Sequence, residues 1–101
     1  MKTDFKIDIS PSVIDDLKSR LAATRWIDQI DNDKWQYGTN KEYLKSLCSY
    51  WQNGFSWKEQ EDYLNTFPHY KADVDGIGLH FIYAKGEGSH TLPLLLTHGW
   101  P

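Results

Sequence analysis

The stretch of sequence that decides the fold is "LLLTHGWP", residues 94–101. Its apolar run starts at Leu92 and shows no alternation with polar residues, which is typical of a strand buried on both faces of a mostly parallel sheet. Such a strand needs helices on both faces of the sheet and other strands beside it. We therefore expect residues 92–97 to form a core strand with a polar loop at its tip. We also expect the sheet to be completed by residues that this sequence does not contain.

The segment before that run, from Tyr70 to Ala84, predicts a β-hairpin. Apolar and polar residues alternate on either side of Asp75-Gly76, with the period of two that a half-buried strand requires. Asp-Gly is a favoured pair for the tight turn between two such strands. The hairpin would supply two strands of the sheet.

The residues before the hairpin predict three helices, near 11–23, 40–53 and 57–66, with an irregular excursion over 26–38. Start signals precede each helix: Ser10-Pro11, then the capping-box pairs Thr39/Glu42 and Ser56/Glu59. The predicted fold class is therefore α+β, the first part of a larger α/β fold. A helical meander would occupy residues 1–67, and the hairpin with a third strand would occupy residues 68–101.

Composition and charge exclude several classes of protein. The 101 residues contain 11 basic and 14 acidic side chains without a long basic run, so we expect no nucleic-acid partner. No apolar run reaches the length of about 18 residues that a membrane span needs, and no signal peptide is evident. The single Cys48 cannot form an internal disulfide, which favours a reducing compartment. We expect a cytoplasmic protein without a membrane anchor.

Neither a metal site nor a cofactor site is predicted. The histidines at 69, 80 and 90 lie in different contexts without the spacing of metal ligands. The acidic residues of the helices are interpreted as solvated helix faces that complement the helix dipole; they are Asp15, Asp16, Glu59, Glu61 and Asp62. Most of the five tryptophans are expected to pack against protein, and Trp100 is the exception.

An ordered series of short motifs makes the chain resemble the N-terminal region of epoxide hydrolases of the microsomal and juvenile-hormone type. His-Gly-X-Pro alone occurs in many α/β-hydrolases, so the order of the whole series makes the match specific. The series runs Arg25-Trp26, Trp35 with Tyr37-Gly38, Tyr50-Trp51, Phe55-Ser56-Trp57, Leu64-Asn65 with Phe67-Pro68-His69, Asp75-Gly76, Leu79-His80-Phe81, and Pro93 through Pro101.

The resemblance implies a fold and a reaction. In that family a helical meander wraps a catalytic α/β-hydrolase domain, and a hairpin leads into a strand that ends in His-Gly-X-Pro. An aspartate on a later elbow attacks the epoxide, two lid tyrosines protonate its oxygen, and a His-acid pair activates the water that hydrolyses the ester to the diol. No such nucleophile elbow is present in this sequence. The chain alone is therefore expected to be inactive.

One part of that machinery falls on this chain. By resemblance, the backbone N–H of Trp100 is one of two donors to the oxyanion, a role whose loss costs ~3 to 4 kcal/mol of transition-state stabilisation. Gly99 would allow the sharp turn, Pro101 would follow a cis peptide bond, and His98 would be structural. The implied partners are a small-molecule epoxide and a C-terminal catalytic domain.

Two alternatives stay open at this point. The chain could be a free-standing interaction module that docks on a partner, or that self-associates through the exposed edge of residues 94–96. It could also be the N-terminal part of another α/β-hydrolase, such as a haloalkane dehalogenase or an esterase. That last alternative lacks a reason for the tryptophan-rich meander.

Overall fold

The structure of the chain is a computed structural model that describes residues 1–30 and 33–100. The chain divides into two compact units. A helical unit comprises residues 7–64. A sheet unit comprises Met1–Lys6 together with the chain from Asn65 onward.

The helical unit contains three helices: α1 (Pro11–Ala22), α2 (Lys41–Asn53) and α3 (Trp57–Leu64). All three lie where the apolar periodicity predicts them, with ends that differ by at most a few residues. α1 packs against α2. Residues 33–38 of the excursion form turns and bends without a helix or strand, in agreement with the prediction; Asp31 and Asn32 lie outside the described residues.

Side-chain caps mark the residues at which α2 and α3 begin. The side chain of Asn40 caps α2 by accepting the backbone N–H of Tyr43 at 2.9 Å, so the prediction that Thr39 caps this helix is wrong by one residue. Asn and Thr both suit the position, and Asn is the stronger cap. Ser56 caps α3 as predicted, since its hydroxyl accepts the backbone N–H of Glu59 at 3.3 Å.

A buried carboxylate ties the segment before α1 to α3. Glu61 is only 3% exposed, and its Oε2 accepts both the backbone N–H of Ile9 at 2.8 Å and the indole N–H of Trp57 at 3.1 Å. Lys58 donates to the other oxygen, Oε1, at 3.3 Å. The prediction that Glu61 belongs to a solvated helix face is therefore wrong. These three hydrogen-bond donors offset the free-energy cost of burying the charge of Glu61.

The sheet unit is a three-stranded antiparallel sheet in the order β1 (Lys2–Asp4), β2 (His69–Val74), β3 (Ile77–Ile82). The predicted hairpin is confirmed. Asp75 and Gly76 both have positive φ, 53° and 81°, which a two-residue turn of type I′ requires. Asp73 stabilises the turn because its Oδ1 accepts the backbone N–H of Gly76 at 3.1 Å.

The third strand of this sheet is β1, and the predicted strand over residues 92–97 is absent from the structure. The described residues after Ile82 form neither helix nor strand. Leu92 and Leu95 are 92% and 87% exposed, so the expected burial on both faces is absent as well. A strand needs neighbours to receive its backbone hydrogen bonds, and none of the described strands pairs with this segment.

No apolar side chain among the described residues is buried. Tryptophans expected to pack against protein remain about half exposed, including Trp35 at 54% and Trp51 at 45%. The buried side chains are instead polar, Glu61 and His69. In both units, therefore, the buried side chains are polar, and the apolar side chains remain partly exposed.

We predict that Glu61→Gln destabilises the helical unit and makes its stability less dependent on acid. The backbone N–H of Ile9 lowers the pKa of Glu61, and bonds from Trp57 and Lys58 lower it further against the opposing effect of burial. A lowered folded-state pKa gives stability that is complete above the unfolded value of about 4.3 and is lost as pH falls through the folded value.

The measurement is thermal unfolding followed by far-ultraviolet circular dichroism. At pH 7 the midpoint should fall by roughly 4 to 8 °C, the shift expected for the loss of one net hydrogen bond in a domain of this size. The difference from the parent chain should shrink below pH 4. Glu59→Gln, on the exposed first turn of α3, is the matched control and should change little. Equal effects of the two substitutions would contradict the anchoring role.

Candidate functional site

The predicted oxyanion loop lies in the exposed terminal segment of the sheet unit. Trp100 is 89% exposed, and His98 and Gly99 are exposed beside it. A side chain built at Gly99 would meet no atom within 4 Å. Pro101, the remaining residue of the motif, lies outside the described residues. The structure therefore places the motif at the surface of this unit and brings none of its described residues against another predicted site residue.

A large apolar groove lies in the helical unit. It encloses about 690 Å³ between the segment before α1, the helices α1 and α2, and the start of α3. Its lining is almost entirely aliphatic and aromatic, with Lys18 as its one charged member: Ile7, Ile9, Ile14, Leu17, Lys18, Leu47, Tyr50, Trp51, Phe55 and Trp57. Four of these residues, Ile14, Leu17, Leu47 and Trp51, recur at helical spacing in the sequence. The groove is a surface for apolar contact.

A smaller groove of about 320 Å³ continues from it between α1 and α3. Its lining adds charged residues, among them Asp15, Lys58 and Glu61. The oxygens of Glu61 already accept three donors, which assigns this carboxylate a structural role. The hydrogen bonds that Lys58 donates to Asp62 and Glu61 raise the pKa of its ammonium group. These charges are structural.

Two histidines that appear unrelated in the sequence meet in the sheet unit. Nδ1 of His69 lies 2.9 Å from Nε2 of His80, and the rings stack with centroids 5.0 Å apart and planes at 22°. Phe5 packs its edge against His80 at 4.9 Å. Burial lowers the pKa of His80, and the charges of His69 and Lys71 lower it further.

Sequence reasoning missed this pair, although the hairpin turn contains the signal for it. A two-residue turn at Asp75-Gly76 places Lys71 opposite His80 and His69 opposite Ile82. His69 and His80 are then diagonal neighbours on one face of the hairpin, within reach of each other. The spacing along the chain alone does not reveal this.

Neither a metal centre nor a membrane span is found in the part of the chain that the structure describes. It contains no cluster of three or more His, Cys, Asp or Glu side chains placed to hold an ion. Within residues 1–30 and 33–100, no helix has the length and apolar character needed to cross a bilayer. Cys48, on α2, is a half-buried free thiol.

Comparison with known proteins gives matches over nearly the whole chain. The family profile described as "Epoxide hydrolase N terminus" matches residues 2–101. The juvenile hormone epoxide hydrolase of Manduca sexta is 44% identical over 101 residues, and epoxide hydrolase 1 of Oryctolagus cuniculus is 40% identical over 101 residues. Each alignment covers 96% of this chain and 22% of the relative. The chain thus spans about a fifth of the length of these relatives.

A solved structure agrees with the sequence matches. The crystal structure of the juvenile hormone epoxide hydrolase from the silkworm Bombyx mori superposes with a TM-score of 0.74 at 28% identity, over 81% of this chain and 20% of that one. The helical meander and the hairpin are therefore the start of an α/β-hydrolase architecture.

We predict that the large groove of the helical unit binds an apolar fluorescent dye such as anilinonaphthalene sulfonate. Leu17→Glu should weaken dye binding several-fold, because it places an unpaired carboxylate in the apolar lining. Val13→Glu provides the matched control: Val13 lies on the same helix, is 56% exposed, and is not part of the lining. The readout is a fluorescence titration at pH 7. Equal loss of binding in both variants would contradict a site in this groove.

Proposed function

The chain belongs to the epoxide hydrolase N-terminal family, and on that premise we propose that it is the covering part of an enzyme that converts epoxides to vicinal diols. The observation that carries the proposal is the family match over residues 2–101. The relatives named above carry the same activity in their names. Because both relatives are named as epoxide hydrolases, a haloalkane dehalogenase or an esterase is the weaker alternative.

The reaction we propose for the whole enzyme passes through a covalent ester. An aspartate outside these 101 residues attacks an epoxide carbon, and the epoxide oxygen takes a proton from lid tyrosines. Water, activated by a His-acid pair, then attacks the ester carbonyl and releases the diol. The absence of a Gly-X-Asp-X-Gly or Gly-X-Ser-X-Gly elbow from this sequence supports assigning the nucleophile to another segment.

In that reaction we assign Trp100 one step. Its backbone N–H would donate to the oxyanion that forms when water attacks the ester carbonyl, while the indole ring stays free to line the pocket. Gly99 would allow the turn that presents this N–H, with His98 and Pro101 supporting the loop. The segment that leads into the loop is exposed and forms no strand in this chain, which is consistent with this role, because the loop needs a sheet to hold it in position.

The helical unit would contribute a covering surface. Its groove exposes apolar side chains such as Leu47 and Trp51 that a free-standing unit gains by burying. We propose that the catalytic part of the enzyme, the partner implied by the family, buries this surface. The charge balance and the single cysteine of the sequence support a cytoplasmic location, which stays a prediction.

The proposal predicts that the chain alone does not turn over an epoxide such as styrene oxide, whereas a chimera does. The chimera carries this chain in place of the matching N-terminal segment of the Manduca sexta relative. Diol formation is the readout. Turnover by the purified 101-residue chain would contradict the assignment of the nucleophile to the remaining sequence, and an inactive but folded chimera would contradict the covering role.

Trp100 is tested in the same chimera by a matched pair of substitutions. Trp100→Pro removes the backbone N–H and should lower kcat by roughly 10² to 10³, the effect of losing one oxyanion donor. Trp100→Phe keeps the N–H and should retain most of kcat. Since the donor acts in ester hydrolysis, the Pro variant should still form the ester, and mass spectrometry should detect the adduct accumulating. A variant that forms no adduct, or equal loss in both variants, would contradict the role.

A second candidate function rests on the exposed leucines of the terminal segment. Leu94, Leu95 and Leu96 are 80%, 87% and 82% exposed, and a contiguous apolar segment of this kind favours association with another chain. An interaction module would behave as a monodisperse small oligomer with cooperative unfolding. Light scattering of the purified chain tests this candidate: a defined small oligomer would support it, and a monomer would contradict it.

A further inference from the structure

The stacked histidines occupy one face of the antiparallel sheet. Side chains alternate along the strands, so Phe5, His69, Lys71 and His80 project from the same face. The backbone N–H of Phe5 donates to the carbonyl of His69 at 3.0 Å, immediately beyond β1. The imidazole pair therefore bridges β2 and β3 at the point where the N-terminal strand joins the sheet.

The contact between the two rings constrains their protonation. A bond between two imidazole nitrogens 2.9 Å apart needs one N–H and one lone pair. Two neutral rings meet this condition in a suitable tautomer, and a pair carrying one extra proton meets it as well. Two protonated rings present N–H groups to each other and repel. The second proton is therefore incompatible with the observed contact.

Two features of the surroundings oppose a second positive charge on the pair. His69 is only 6% exposed. Lys71, directly opposite His80 in the register, adds a positive charge on the same face. Asp73 is the carboxylate of β2 on this face, and it accepts the N–H of Gly76 at the turn. β1 contributes Thr3 to this face and Phe5 follows directly after the strand, whereas the charged residues of β1, Lys2 and Asp4, lie on the opposite face.

We propose that the His69–His80 pair is an acid-sensitive latch that holds the N-terminal strand and the hairpin in one sheet at neutral pH and releases them when both rings are protonated. The latch consists of the contacts among Phe5, His69 and His80 on their shared face of the sheet. It regulates the sheet that precedes the oxyanion loop, and it does not depend on the reaction proposed above.

The sign of the effect follows from the lowered pKa of His80. Because the folded sheet lowers the pKa of His80, the unfolded sheet binds more protons below the ordinary histidine pKa of about 6.5. Stability is complete above that value and falls as pH decreases through it. Where the unfolded state holds one proton more, opening becomes about tenfold more favourable for each pH unit.

The latch is tested by hydrogen exchange of the Phe5 amide in the purified chain, corrected for the intrinsic pH dependence of exchange. We expect protection at pH 7.5 that falls by about tenfold between pH 6 and pH 5. His80→Phe keeps an aromatic ring at the stack and cannot be protonated, so its protection should not fall. His90→Gln, outside the strands, should behave like the parent chain.

A second measurement keeps the proposal testable if His80→Phe does not fold. Imidazole ¹⁵N shifts of the parent chain should show that His80 takes up its proton at a lower pH than free histidine does. Titration of His80 near 6.5 would overturn the latch. Random-coil exchange of the Phe5 amide at pH 7.5, or an unchanged pH dependence in a folded His80→Phe chain, would also overturn it.

Discussion

The carboxylate of Glu61 is the constraint on which the helical unit depends. A charge that is 3% exposed can remain only if donors surround it, and those donors come from the segment before α1 and from α3 itself. The contact with Ile9 fixes the chain just before α1 begins, and the contact with Trp57 fixes an aromatic ring of the groove. One buried charge thus defines the geometry of a surface that is otherwise apolar.

The sheet unit follows a similar principle with different chemistry. Its buried side chain is His69, whose contact with His80 follows from the register that the Asp75-Gly76 turn sets. In both units, directional polar contacts determine position, and apolar side chains remain half covered. This distribution agrees with the proposed role, in which the hydrophobic contribution to stability is completed when the catalytic part of the enzyme covers these faces.

Local patterns in the sequence predicted the elements, and long-range contacts determined what those patterns missed. Apolar periodicity gave the three helices, and alternation around Asp75-Gly76 gave the hairpin. The leucine run at 92–96 has the pattern of a buried strand, but a strand forms only with neighbours, and no pattern within the run supplies them. Glu61 has the local pattern of an acid on a solvated helix face, and only the position of the Ile9 N–H reveals its burial. The role of Trp100 came from resemblance and stays a prediction.

The account is tested most directly by hydrogen exchange mass spectrometry of this chain alone and within the chimera that supplies the rest of an epoxide hydrolase. The account predicts that backbone amides of residues 94–97 exchange at random-coil rates in the chain alone and become strongly protected in the chimera. The amide of Ile9, held by Glu61, should be protected in both. Unchanged fast exchange of residues 94–97 in an active chimera would contradict the claim that this segment becomes a strand of the enzyme's sheet.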